Sequence, residues 1–299
     1  MRVERRRLGH TDMDVSVLGF GGAEIGAVGA STGTVRRLLD RALDAGLNVV
    51  DTAECYGASE ELIGGLADRR ADFYLFTKCG HAAGLDGPDW DLGMLARSID
   101  RSLRRLRTDH VDLLQLHSCS EELLRRGEVI EVLQRAKAAG KTRYVGYSGD
   151  SAKALYAVQC GAFDVLQTSV SIADQEALDL TLPEAARRGI GVIAKRPIAN
   201  AAWRTGRRPA EPYHQPYWDR LQQLDYDFLR GDVSAAVGIA LRFTLGVPGV
   251  HVAIVGTTNP ERWAENAGLL AAGPLPAEPY AAIRARWRAV AGADWMGKQ

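Results

Sequence analysis

The chain has 299 residues, 46% of them apolar, and its 37 lysines and arginines are balanced by 37 acidic residues. Zero net charge removes the basic surface that nucleic acid or an anionic membrane would need, and no apolar run approaches the roughly 18 residues of a membrane span. Four cysteines (Cys55, Cys79, Cys119, Cys160) fit neither a disulfide framework nor a CxxC zinc pattern, and the basic start MRVERRRLGH lacks a signal peptide's apolar stretch, so a reduced, cytoplasmic protein without a metal is expected.

In chain order, an N-terminal β-hairpin is followed by VSVLGFGG, an apolar strand ending in glycines. TVRRLLDRALDAG then places Val35, Leu38, Leu39, Ala42 and Leu43 at helical spacing, with Gly46 as the stop. LNVVDT reads as a strand, SEELIGGLADR as a helix, FYLFTK as a strand and LGMLARSIDRSLRRL as a helix. The alternation continues through VDLLQLH, EVIEVLQRAKAAG, TRYVGYS, SAKALYAVQCG, FDVLQTS, EALDLTLPEAARRG, IGVIAKRP, SAAVGIALRFTLG, VHVAIVG and NPERWAENAGLL, which makes eight strand–helix units.

Strands that alternate with helices imply a parallel sheet, because each return needs a crossover. Eight units in this length fit a closed (β/α)8 TIM barrel, an α/β fold, better than an open sheet. No Pro/Ser-rich linker divides the chain, so residues 1–299 are expected to form one domain. Residues 198–232 read as a long irregular insertion carrying Trp203, Tyr213, Tyr217 and Trp218, and loops of that length are usually functional. Long loops on the C-terminal face, a helix near YAAIRARWRAV and the tail ADWMGKQ lie outside the eightfold count.

In such barrels the chemistry sits at the C-terminal ends of the strands. Those ends read Gly21-Gly22, Asp51, Lys78, His117, Ser148, Gln167, Lys195 and Gly256. The chain has only six lysines (Lys78, Lys137, Lys141, Lys153, Lys195, Lys298), so one at the end of an apolar strand stands out. Neighbouring parallel strands are about 5 Å apart, which lets Asp51, Lys78 and His117 converge with Tyr56 just beyond the first. Asp51 beside Lys78 compensates two buried charges. Lys78 beside Tyr56 would pull the phenol down from about 10 and make it a usable proton donor. His117 would orient a carbonyl oxygen without delivering the proton.

With these residues and RLGHTDMDVSVLGFGG, DTAECYG, FTKCG, LLQLHS, VGYSGD, DVLQTS and GTTNPERWAEN, nearly the whole chain resembles the aldo-keto reductase superfamily. The resemblance implies a nicotinamide cofactor bound to a barrel without a Rossmann domain. It makes Tyr56 the general acid, Lys78 its tuner, Asp51 the partner of the lysine and His117 the carbonyl-orienting group. It assigns Ser148 and Gln167 to the nicotinamide carboxamide, with Gly22, Asp51, Lys195, Arg196 and Gly256 also along the cofactor. It places Arg262 on the 2′-phosphate of NADP, and Glu265 and Asn266 by the adenine. Thr257 and the start of the helix near Pro260 offer donors for phosphate, and Arg262 offers a planar charged fork. NADPH is the expected cofactor, with NADH the alternative.

Three positions depart from the family pattern. Gly256 stands where many members place lysine, Gly149 where many place asparagine, and Lys195 or Arg196 where an aromatic ring commonly lies under the nicotinamide. The partner expected is a small-molecule carbonyl compound, handled by a monomer or small homo-oligomer. Its identity would depend on the loop HAAGLDGPDWD, on residues 198–232 and on the tail, with Arg204, Arg207 and Arg208 able to admit an acidic group. Two other readings remain: a non-catalytic NADP(H)-binding sensor or accessory subunit, and a Schiff-base lyase using Lys78 or Lys195. Cys55, Cys79 and Cys119 are expected to be small fillers at the strand ends, and His110 and His251 to be structural residues at the opposite end.

Overall fold

The computed structural model describes residues 3–297; Lys298 and the last residue of the tail lie outside them. Strands β1 (Arg5–Arg7) and β2 (Asp14–Ser16) form an antiparallel hairpin. Eight parallel strands follow: β3 (Leu18–Gly21), β4 (Val49–Asp51), β5 (Tyr74–Cys79), β6 (Val111–His117), β7 (Thr142–Ser148), β8 (Val165–Ser169), β9 (Gly191–Lys195) and β10 (Val252–Val255). They pair in chain order, and β10 closes the barrel between β9 and β3.

VSVLGFGG is therefore two strands rather than one. The Ser16 N–H donates to Asn48 Oδ1 at 2.6 Å and its hydroxyl to the Leu18 carbonyl at 2.9 Å, which breaks the ladder between hairpin and barrel. The hairpin closes the barrel floor. Leu8, Met13 and Val15 join the inward side chains Val49, Phe76, Leu113, Val165, Ile193 and Val252 in one buried cluster. A larger core lies between the strands' outer faces and the helices.

Helices α1 (Ala23–Ala27) and α2 (Thr32–Asp44) follow β3, and α3 (Ser59–Gly64) follows β4. The Ser31 side chain caps α2, whose buried stripe is Val35, Leu38, Leu39, Ala42 and Leu43 as its spacing predicts. Then come α4 (Leu92–Leu106), α5 (Glu121–Arg126), α6 (Glu128–Ala138) and α7 (Ser151–Gln159). EALDLTLPEAARRG divides into α8 (Glu176–Leu180) and α9 (Leu182–Arg187), because Pro183 has no N–H to continue α8 and is suited to the first turn of α9.

The insertion at 198–232 is more ordered than its sequence suggests. It contains α10 (Gln215–Leu224), which buries Tyr217, Arg220, Leu221 and Leu224. Helices α11 (Val233–Gly246), α12 (Arg262–Leu269) and α13 (Ala277–Val290) complete the chain. The tail packs Trp295 against Trp287, with ring centroids 5.3 Å apart. Among the described residues no helix is long and apolar enough to cross a membrane.

Candidate active site

The side-chain period of two along each strand builds the site directly on the apolar floor. Two residues beyond Val49, Phe76, Leu113, Val165 and Ile193 of the inner cluster stand Asp51, Lys78, Gln115, Gln167 and Lys195. One layer of the barrel is thus apolar and the next is polar. Lys78 Nζ donates to Asp51 Oδ2 at 2.5 Å and to the Thr52 carbonyl at 2.8 Å. Asp51 Oδ1 accepts from Gln115 Nε2 at 3.2 Å and from Gln167 Nε2 at 2.9 Å. Both ions are buried, so their mutual charge and these donors replace the water they have lost. Burial works against the ammonium, but Asp51 and Tyr56 together hold Lys78 above its ordinary pKa. The amine therefore stays protonated and is no nucleophile.

Tyr56 sits on the turn after β4, with the Lys78 ammonium 4.9 Å from its ring centroid. Its ring meets His117 edge-on, at 5.6 Å between centroids. The expected lowering of the phenol is not what the folded chain produces. Burial pushes Tyr56 up to about 12, with Lys78 pulling the other way and Asp51 adding to the rise. His117 moves in the opposite direction. Burial, followed by the positive fields of Lys78, His81, Lys195 and Arg196, drives it well below its ordinary value, so the ring is neutral.

These groups open onto a cavity of about 730 Å³. Its lining includes Gly22, Asp51, Tyr56, His117, Ser148, Gln167, Lys195, Arg196, Gly256, Thr257, Arg262, Glu265 and Asn266, with Lys78 buried directly behind. The candidate catalytic and cofactor-binding residues expected from the sequence are therefore brought together at one cavity. Ser148 Oγ donates to Gln167 Oε1 at 3.2 Å, so these two polar groups hold each other at the cavity wall. At the far end Thr257 Oγ1 accepts from the Asn259 N–H at 3.1 Å. Helix α12 begins at Arg262, slightly later than expected, and Arg262 pairs with Glu265 at 2.8 Å on the exposed rim. The cavity's volume, its polar inner wall and a cation at a helix start suit a dinucleotide.

The three departures have structural counterparts. A side chain at 256 would run into the Glu24 carboxylate, which fills the space that glycine leaves. A Cβ at 149 would lie 2.5 Å from Cε1 of Tyr147, whose hydroxyl donates to the Cys119 carbonyl at 2.8 Å. Lys195 reaches Asp150 at 2.9 Å, and burial pulls its amine down to about 8 against the pull of that carboxylate. Arg196 donates to Ser169 Oγ at 2.7 Å and to the Tyr213 hydroxyl at 2.6 Å, which ties the long loop to the end of β9.

Residues 198–214 contribute Asn200, Arg204, Tyr213 and His214 to the cavity wall. Arg208 instead pairs with Asp219 at 2.8 Å. The loop HAAGLDGPDWD closes beside the site through His81, whose ring lies 5.3 Å from that of His117. The tail is set farther back and accepts a hydrogen bond from Arg220 at the Met296 carbonyl, 2.6 Å away. His251 and His110 are held at the strand starts, His251 accepting from the Val192 N–H at 3.0 Å and His110 bonding Asp109 at 2.7 Å.

Cys79 and Cys119 are buried fillers, but Cys55 is exposed. It faces His117 with Sγ 3.5 Å from Nδ1. Reading the strand ends missed Gln115, although the inward period Leu113, Gln115, His117 carries it. It also missed Glu54, which is buried beside Tyr56 and accepts from the His81 N–H at 2.9 Å.

A model of the Aldo/keto reductase family matches residues 17–288. An aldo-keto reductase from Bacillus halodurans, solved in a holo form, superposes with a TM-score of 0.81 at 27% identity, over 98% of this chain and 99% of that one. The L-galactose dehydrogenase of Arabidopsis thaliana is 34% identical over 66% of this chain and 66% of its own length. The oxidoreductase YqkF of Bacillus subtilis is 29% identical over 88% of this chain and 90% of that one.

Proposed function

The chain belongs to the aldo/keto reductase family, and we propose that it reduces the carbonyl of a small aldehyde or ketone with NADPH, Tyr56 supplying the proton. The observation that carries this reading is the meeting of Asp51, Lys78, Tyr56 and His117 at the inner end of one cavity. A bound reduced nicotinamide supplies the hydride. Ser148 and Gln167 would hold its carboxamide and Arg262 the 2′-phosphate, with NADH the alternative cofactor.

The protein's own groups do the rest. His117, neutral because it is buried among cations, donates a hydrogen bond to the carbonyl oxygen and orients it without competing as an acid. Tyr56 stays protonated because burial pushes it up to about 12. An alkoxide is a far stronger base than a phenolate, so the phenol still gives up its proton when the alkoxide forms. Lys78 then faces the new phenolate, and Asp51 keeps that lysine charged.

The test is Tyr56→Phe. NADPH fluorescence titration should report wild-type cofactor binding, while NADPH oxidation across aldehydes, ketones and aldoses falls by about 10²–10⁴-fold. Full activity in the variant would overturn the role of Tyr56. Tight NADPH binding with no turnover of any carbonyl by the wild type would favour a sensor or accessory subunit.

A further inference from the structure

Two residues with no part in the proposed reduction, Glu54 and Cys55, bring metal-ligand atoms close to His117. Cys55 Sγ stands 3.5 Å from His117 Nδ1, and a carboxylate oxygen of Glu54 completes a trio whose atoms all lie within 4.8 Å of one another. A tetrahedral zinc ion, with about 2.3 Å to sulfur and about 2.0–2.1 Å to imidazole nitrogen, separates two such ligands by about 3.5 Å. Cys55 and His117 already have that spacing.

Glu54 is the second observation. It is only 1% exposed. Its Oε1 accepts from the His81 N–H, whereas Oε2 is buried with no hydrogen-bond partner among the described residues. An orphaned buried carboxylate oxygen is expensive, and a cation relieves it. Cys55 is exposed and gives an ion its way in.

We propose that Glu54, Cys55 and His117 form a site for a thiophilic divalent cation of the zinc class, with water as the fourth ligand, and that the bound ion blocks the neighbouring reductase centre. On binding, the Cys55 thiol and the Glu54 carboxyl release their protons to solvent and three metal–ligand bonds form. No electrons move. The ion fixes the His117 ring through Nδ1, so the imidazole can no longer turn to the carbonyl oxygen, and it adds positive charge beside a ring that already faces Lys78, Lys195 and Arg196. Only the blocking half rests on the reductase reading.

Two measurements on the full chain test the site. Zinc is titrated against a chromophoric chelator in a thiol-free reductant, and NADPH oxidation is followed over the same zinc range. One zinc per chain is expected, with affinity reduced about tenfold or more in Cys55→Ser and in Glu54→Gln. Cys160→Ser, which changes the other exposed thiol, should bind as wild type does. Inhibition should reverse with chelator and weaken by the same factor in Cys55→Ser, whose zinc-free turnover is retained. No competition with the chelator, or equal losses in Cys55→Ser and Cys160→Ser, overturns the site. Stoichiometric binding without inhibition overturns the blocking. The chelator measurement needs no turnover, so failure of the reductase reading is distinguishable from failure of the site.

Discussion

Asp51→Asn removes one charge from the centre while leaving its volume unchanged, so no cavity contributes to the outcome. Lys78 then loses its carboxylate contact with Asp51, at 2.5 Å, inside a site where both side chains are buried. Breaking such a pair from one side costs about 3–5 kcal/mol. The amide cannot restore the old bonds. If its oxygen faces Lys78, its NH2 faces the amide donors of Gln115 and Gln167 that now serve Asp51 Oδ1. Urea unfolding at pH 7 should show the full loss, and kcat should fall by at least about tenfold because Lys78, without its counter-charge, is no longer held charged beside the phenolate that Tyr56 becomes.

The pH dependence makes the test specific. In the wild type the folded pKa of Lys78 is raised, so its stabilisation is complete below the unfolded value of about 10.4 and is lost above it. In the variant, burial remains and depresses the folded value, so stability rises with pH as the amine becomes neutral. The deficit against wild type should narrow from pH 7 toward pH 10. A loss under about 1 kcal/mol that does not vary with pH would refute the account of Asp51 as the counter-charge.

Glu54 predicts the opposite slope to an ordinary carboxylate. Burial, with Glu60 nearby, pushes it up to about 8 from 4.5, so the folded state holds a proton that the unfolded chain has released. Stability should fall as pH rises through that window, by up to about 5 kcal/mol, and Glu54→Gln should flatten the curve in urea titrations at successive pH values. Arg262→Ala should weaken NADPH about tenfold while changing NADH little, read by fluorescence titration; equal effects on both would remove the 2′-phosphate role. Gly149→Asn must displace the Tyr147 ring, and a loss of about 1–3 kcal/mol in thermal unfolding is expected.

The barrel was legible because its strands and helices differ in hydrophobic period, and the site because the inward period of two carries apolar residues into polar ones at the strand ends. Val49 to Asp51 and Phe76 to Lys78 are the plainest cases. The direction in which Tyr56 shifts was not legible. It depends on how burial compares with one ammonium whose distance only the folded chain sets. Helix α10 was obscured by prolines at 209, 212 and 216, which read as loop residues, although Pro212 and Pro216 serve here at helix starts. Glu54 was passed over because a carboxylate two residues before a tyrosine carries no signal until the turn after β4 buries it.

The glycine departures show why a family pattern transfers unevenly. Read one position at a time, Gly256 and Gly149 are two lost contacts. In the fold each is half of a pair, Glu24 occupying the space beside the first and the Tyr147 ring the space beside the second. Close packing couples such neighbours, so restoring the commoner residue at either glycine alone adds atoms to filled space. At 256 the obstacle is a carboxylate whose pKa burial raises. An incoming lysine would ionise it and form an ion pair, spending its charge on Glu24 before any phosphate. Gly256→Lys by itself should therefore improve NADPH binding less than the pair Gly256→Lys with Glu24→Gln, and only the pair tests whether this rim can be converted to the common family form.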